Sequence, residues 1–381
     1  MKIVTIIGAR PQIIKAAALS RAIRNNFKKE IKEIIIHTGQ HYDENMSQVF
    51  FDELGIPEPN YNLNIGSGLH GKQTAGMISG IEEILLKEKP DYIVLYGDTN
   101  STLAGAVAAS KIHIPIVHIE AGLRSFNKSM PEEVNRIMAD HASTLLFSPT
   151  KTGLQNLIKE GFNPGNKAPF TADHPGIFHC GDIMYDNSLY FSEIADKKST
   201  ILEDISLNGN SFFLGTVHRD NNTDKPKRLN ALFEAFDEIT RSVQIPLVLP
   251  LHPRTAKLLQ KNLRPELYEK INKNSLIRLI KPVSFLDMIK LEKNCRMIFT
   301  DSGGVQKESY FFKKPAIILR PETEWKEIVQ QGCGIIADAD KENIINAYTY
   351  FSKESKKLQF PPIFGNGKAA EFILTTMLEN R

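Results

Sequence analysis

Cysteine is scarce: Cys180, Cys295 and Cys333 are the only three in 381 residues, far apart and without a C-x-x-C spacing. This excludes a disulfide framework and a structural zinc site and leaves three buried or inert thiols. No apolar run approaches the ~20 residues needed to cross a bilayer, so no membrane partner is expected. The chain opens directly on the strand pattern Lys2-Ile-Val-Thr-Ile-Ile7, without the basic, apolar and small-residue succession of a signal peptide, which points to the cytoplasm. Excess charge is missing as well. Lys and Arg number 47 against 44 Asp and Glu, and the resulting +3 is too small over this length to imply a nucleic-acid partner. Internal repeats and low-complexity tracts are absent.

What is present is ordinary globular composition, 41% hydrophobic and 24% charged, on a chain long enough for two cores. Apolar, β-branched runs near residues 3–7, 34–38, 92–96, 116–119 and 145–148 alternate with helix-length amphipathic segments. After a turn-rich stretch, Asn163-Pro-Gly-Asn-Lys-Ala-Pro169, and one last short strand, the pattern restarts with runs near 212–216, 247–251, 277–280, 297–300, 316–319 and 334–336. Such alternation predicts parallel βαβ units and an α/β fold of two doubly wound, Rossmann-like domains. The expected boundaries are 1–181 and 182–364, with 365–381 as a C-terminal helix led by Pro361-Pro362, Gly365 and Gly367 and returning to the first domain.

The chemistry concentrates where these strands end. Ile298-Phe-Thr-Asp-Ser-Gly-Gly-Val-Gln-Lys-Glu308 runs from a strand through two glycines into a helix expected near Val305, a turn suited to an anion. Gly303 and Gly304 let a phosphate approach the main chain, Ser302 offers a hydroxyl or an N-cap, and Glu308 suits a ribose diol. The first turn, Gly8-Ala-Arg-Pro-Gln-Ile-Ile-Lys15, is neither G-x-G-x-x-G nor G-x-x-x-x-G-K-[ST]. It places the cations Arg10 and Lys15 near a helix start, where they oppose the dipole unless an anion arrives. Asp98 and Glu120 follow two strands, as Open α/β sheets require of ligand-site residues, though Asp98 also fits a helix N-cap. Glu132 and Glu133 suit either a site or a helix N-terminus. His218 and His252 end two strands of the second half, and Arg320 follows the strand behind the glycine turn, where it would add a cation to a diphosphate.

In order along nearly the whole chain, GARPQIIK, YGDTNST, HIEAGLRS, MPEEVNR, TVHRDNNTD, LHPR, TDSGGVQKES and LRPETEW resemble the non-hydrolysing UDP-N-acetylglucosamine 2-epimerases. The resemblance implies a glycosyltransferase-B type fold with the active site in the interdomain cleft, and a cytoplasmic homodimer supplying a nucleotide sugar for cell-envelope polysaccharide. It implies catalytic roles for Asp98, Glu120, Glu132 and His218, and diphosphate contacts for Arg10 and Lys15. Ser302, Gly303, Gly304 and Glu308 would form the nucleotide site, with His252 and Arg320 near the UDP. Gln40, His41 and Gln73 resemble regulatory UDP-N-acetylglucosamine contacts of some members. GARPQ in place of G-T-R-P-E, with TVHR and LRPETEW, resembles the branch acting on UDP-2,3-diacetamido-2,3-dideoxyglucuronic acid. Asp-Asn-Asn after His218-Arg219 departs from the commoner Glu-Asn and leaves Asp220 without a role.

The C2 proton of such a sugar is not next to a carbonyl, so activation has to come from elsewhere. Departure of UDP creates oxocarbenium character at C1 and acidifies C2, and a carboxylate then removes the proton to give a glucal. Re-addition with protonation from the other face inverts C2. The scheme asks for cations at the diphosphate and titratable groups at the sugar, and for no metal or other cofactor. A UDP-sugar glycosyltransferase and a UDP-sugar sensor without turnover are the competing expectations.

Overall fold

The computed structural model describes residues 1–39, 55–207, 209 and 211–381. It contains two compact units, Met1–Asn187 with Pro362–Arg381, and Ser188–Pro361.

The first unit is built on seven strands: β1 (Lys2–Ile7), β2 (Lys32–His37), β3 (Tyr61–Asn62), β4 (Tyr92–Tyr96), β5 (Ile116–Ile119), β6 (Leu145–Ser148) and β7 (Gly176–His179). Their order is β3-β2-β1-β4-β5-β6-β7, and every pairing is parallel. Strands covered by helices on both faces need apolar residues at successive positions, and β1 and β4 are accordingly buried almost throughout. The order reverses between β1 and β4, which opens a crevice beyond their carboxyl ends. The two-residue edge strand β3 was not anticipated, because a segment that short carries no periodicity.

The second unit holds β8 (Phe213–Thr216), β9 (Leu247–Pro250), β10 (Ile277–Ile280), β11 (Met297–Thr300), β12 (Ala316–Ile318) and β13 (Gly334–Ile336). The order is β10-β9-β8-β11-β12-β13, again all parallel, with its reversal between β8 and β11. Its core is aromatic: Phe299 meets Phe213 at 5.9 Å and Phe236 at 5.6 Å between ring centroids, both edge to face.

The C-terminal helix Ala369–Glu379 packs within the first unit, where Phe372 meets Phe147 edge to face. Gly181, at φ 83°, lies so close to the Phe364 carbonyl that a Cβ would fall 2.8 Å from its oxygen. The helix start has no capping side chain of its own. Asp186 serves instead, accepting from the amides of Ala369 at 3.1 Å and Ala370 at 2.8 Å. Of the three thiols, Cys295 and Cys333 are buried and Cys180 is half-buried, and burial pushes all three above the ordinary thiol range.

Burial pushes the Asp186 carboxyl up to about 6, from an ordinary 3.8, against the pull of the two amide donors. A raised folded-state value means stability that is present below the unfolded value and lost as pH rises through the folded one. Between about pH 4 and 6 the protein should therefore lose up to about 3 kcal/mol that Asp186→Asn does not lose. Denaturant unfolding of both proteins across that window checks this, and parallel curves would refute it.

Candidate active site

At the carboxyl end of β1, Gly8 is packed so tightly that a Cβ would run into the hydroxyls of Thr38 and Ser101. The helix Arg10–Ala22 follows, with Pro11 in its first turn and no acidic residue there. Gln12 ties this turn to β4: its Oε1 accepts from the Ala9 amide at 3.2 Å, and its Nε2 donates to the Tyr96 carbonyl and Thr102 Oγ1, both at 3.1 Å. An ionised glutamate has no proton for the last two bonds, which accounts for glutamine in GARPQ. Arg10 is exposed at the helix start. Lys15, further along the helix, pairs with Glu120 from the end of β5.

Glu120 carries φ 76°, a left-handed conformation that costs a non-glycine residue about 1 kcal/mol or more. Its amide and that of Ala121 both donate to the Phe147 carbonyl at 3.0 Å, which fixes the turn. Gly97, at the end of β4, makes room for the Lys15–Glu120 pair, because a Cβ there would lie 3.0 Å from the ammonium and 3.1 Å from the carboxylate. Asp98 follows, and its carboxylate pairs with Arg136. It is not the N-cap that its position also allowed. Thr99 caps the helix Asn100–Lys111, accepting from the Thr102 amide at 3.4 Å.

The helix Pro131–Ala142 frames Asp98. Asn135 donates to the Asp98 carbonyl at 3.0 Å, and Arg136 joins Asp98 to Glu133. Glu133 is buried and accepts from the amides of Ser125 and Phe126, both at 2.9 Å, so it shapes the loop before the helix. Glu132 stands exposed in the first turn, and among the described residues its side chain makes no hydrogen bond or ion pair. The structure thus joins Asp98, Arg136 and Glu133 in one network and Glu120 with Lys15 in another. Gln73 is buried, accepting from Asn100 Nδ2 at 2.8 Å and donating to the Gly66 carbonyl at 3.0 Å. Gln40 and His41 lie outside the described residues.

In the second unit the decisive side chain is Asp301, fully buried between the ends of β8 and β11. It accepts from the amides of His218 and Arg219, both at 3.1 Å, and from Asn222 Nδ2 at 3.1 Å. Its other oxygen meets His218 Nδ1 at 3.0 Å. The imidazole is thereby oriented through Nδ1, with about half of the side chain exposed. Ser302 caps the helix Gly303–Phe311, which begins two residues earlier than the sequence suggested because both glycines join its first turn. A Cβ on Gly304 would lie 3.9 Å from both Ser302 Oγ and Glu308 Oε2, so these groups ring the helix start.

Arg320 makes a two-bond pair with Glu324 at 3.0 and 2.9 Å, beside Gly303. Burial alone would push the Glu324 carboxyl up, but Arg320 outweighs it and holds the group below the ordinary range. Any phosphate reaching Arg320 shares it with this carboxylate. Trp325 closes the turn by donating Nε1–H to the Gly303 carbonyl at 3.0 Å, with Lys307 over its ring. His252 caps the helix Pro253–Asn262, its Nδ1 accepting from the Arg254 amide at 3.3 Å.

Residues 23–378 match the family described as UDP-N-acetylglucosamine 2-epimerase. The chain belongs to this family. It is 49% identical over 378 residues to a UDP-N-acetylglucosamine 2-epimerase homolog of Methanococcus maripaludis, with 99% of each chain covered. It is 45% identical over 374 residues to the UDP-2,3-diacetamido-2,3-dideoxy-D-glucuronate 2-epimerase of Pseudomonas aeruginosa, with 98% of each covered. Among solved structures, Methanocaldococcus jannaschii UDP-GlcNAc 2-epimerase in complex with UDP-GlcNAc and UDP is similar at TM-score 0.83 and 42% identity, covering 100% of both chains. The protein is an isomerase, a UDP-sugar 2-epimerase, with a two-domain α/β fold of the glycosyltransferase-B type.

Two groups of this epimerase escaped the sequence reading. Asp301 sits inside the quoted TDSGG motif, but only the fold brings β8 beside β11 and so places His218 on it. Glu292, on the helix Phe285–Asn294, is fully buried, and neither carboxyl oxygen meets a hydrogen-bond donor among the described residues. Burial, with the facing Glu308 carboxylate pushing the same way, holds the Glu292 carboxyl well above the ordinary range. Its stabilisation is present below the ordinary value near 4.5 and is lost as pH rises toward the folded value. Glu292→Gln should therefore gain on the parent in melting temperature as pH increases from about 5 to 9. A constant gap across that range would show that Glu292 is not held protonated.

Proposed function

We propose that this epimerase interconverts UDP-N-acetylglucosamine and UDP-N-acetylmannosamine by elimination and re-addition of UDP. The observation that carries the reading is the pair of cation-partnered carboxylates at adjacent strand ends, Asp98 with Arg136 and Glu120 with Lys15 against Gly97. In the first half-reaction the C1–O bond breaks, its electron pair going to the β-phosphate oxygen, and a carboxylate takes the C2 proton as C1=C2 forms. In the second, a proton is delivered to the opposite face of C2 and the phosphate oxygen returns to C1, so no electrons are gained or lost overall. Asp98, Glu120 and Glu132 are the sugar-side acids and bases in this reading. His218, oriented by Asp301, is a proton donor or acceptor through Nε2.

Arg10 and Lys15 take the developing charge of the departing diphosphate, with Arg320 and His252 near the UDP. Ser302, Gly303, Gly304 and Glu308 hold the nucleotide. Gln73, with Gln40 and His41, is a regulatory contact. The enzyme acts as a cytoplasmic homodimer serving cell-envelope polysaccharide; no helix among the described residues is long and apolar enough to cross a membrane. A second reading, epimerisation of UDP-2,3-diacetamido-2,3-dideoxyglucuronate, is favoured by the 45% identity to the Pseudomonas aeruginosa enzyme.

Incubation of each UDP-sugar in D₂O, followed by NMR at C2, separates the two. The acetylglucosamine substrate should yield its 2-epimer with deuterium at C2. Turnover of the diacetamido-glucuronate alone would move the protein to the second reading, and an unlabelled epimer would rule out exchange with a solvent-accessible base. In the same assay Glu120→Gln should lower kcat by about 10²- to 10⁴-fold while UDP affinity by calorimetry stays within about twofold, because the amide keeps the shape but takes no proton. Parental kcat in a folded Glu120→Gln protein would remove Glu120 from the chemistry.

A further inference from the structure

His118 shows no exposure to solvent, lies on β5 two residues before Glu120, and has no role in the scheme above. Its Nδ1 is 2.7 Å from Asp140 Oδ1 and its Nε2 is 2.7 Å from the Gly97 carbonyl oxygen. A peptide carbonyl only accepts, and so does a carboxylate. The second oxygen of Asp140 is already taken by two donors, the Gly122 amide at 3.1 Å and Arg124 Nη1 at 2.7 Å. Burial alone would push the Asp140 carboxyl up, yet the charges and hydrogen bonds of His118 and Arg124 hold it below the ordinary range.

A neutral ring would leave a lone pair facing an oxygen in a site closed to solvent, whereas a proton on each nitrogen satisfies both contacts. Arg124 also pairs with Glu160, a partly exposed carboxylate at the edge of the cluster that meets the half-exposed His141 at 3.4 Å, so Arg124 is shared between two carboxylates and does not meet the charge of Asp140 alone.

The anchored groups are informative. Gly97 immediately precedes Asp98, and Gly122 follows Glu120 by two residues, so one ring and one carboxylate fasten both turns that carry the sugar-side acids. We propose that His118 is a positioning residue, a buried imidazolium that locks the Gly97 carbonyl and, through Asp140, the Gly122 amide, and so sets the spacing of Asp98 and Glu120. This rests on the assignment of those two carboxylates to proton transfer at C2.

The test has two arms. In full-length protein labelled with ¹⁵N at the histidine rings, one imidazole should carry protons on both nitrogens at neutral pH, and its signals should vanish in His118→Gln. A His118 ring with a single proton overturns the proposal. Kinetically, His118→Asn keeps a donor toward Asp140 and loses the bond to Gly97, while His118→Gln keeps a donor toward Gly97. Both should lower kcat for C2 exchange by about 10- to 100-fold with KM within about twofold, Asn more than Gln. Parental kcat in either folded variant, or a loss confined to melting temperature, overturns the proposal. If neither variant folds, Asp140→Asn decides: with its counter-charge removed the ring should drop to one proton and kcat should fall, and a doubly protonated ring with parental kcat overturns it. Should the wild type exchange C2 of neither UDP-sugar, the functional reading fails by itself, and the nitrogen spectrum still decides the state of His118.

Discussion

Two aspartates closed to solvent, Asp140 and Asp301, hold strand ends of the two sheets in place. A carboxylate removed from solvent costs several kcal/mol unless donors surround it, and it leaves those donors little freedom to move once they do. Asp140 gathers His118, Arg124 and the Gly122 amide, while Asp301 gathers the amides of His218 and Arg219, Asn222 and the His218 ring. In each unit the desolvation penalty of one acid is offset only by a single arrangement of two strand ends. The turns after these strands are therefore held by the donors that each buried acid gathers.

The two halves dress the same frame with different residues. In the first, polar side chains crowd the β1–β4 reversal: Gln12 bridges the turns, Gly97 clears space for an ion pair, and Arg136 holds Asp98. In the second, the β8–β11 reversal presents backbone amides and small residues, Ser302 and the two glycines, with Trp325 and the Arg320–Glu324 pair packed against them. Crowded carboxylates suit proton transfer, and an open helix start suits a phosphate.

Most of this layout is readable in the chain because strands buried on both faces must be written as apolar runs, and the polar residues that follow each run must lie at carboxyl ends. Arg10, Asp98, Glu120, His218 and Ser302 were singled out by that logic, and the structure places each of them after a strand of its sheet. It fails where two chemically equal residues are neighbours. Glu132 and Glu133 cannot be told apart in sequence, since both suit a helix start, and only the fold turns Glu133 inward onto the loop amides and Arg136. It fails again where a local rule has two candidates, as when Thr99 rather than Asp98 caps a helix, leaving the aspartate for Arg136.

Periodicity and turn chemistry, which depend on residues a few positions apart, thus determined the element types, the two doubly wound halves and the glycine turn from sequence alone. Partnerships were decided by tertiary structure. Lys15 meets Glu120 across 105 positions, His218 meets Asp301 across 83, and Asp186 reaches the amides of Ala369 and Ala370 across more than 180. The energy of a charged or buried polar group is set by what lies within a few ångströms of it, and in a parallel sheet those neighbours come from distant strands.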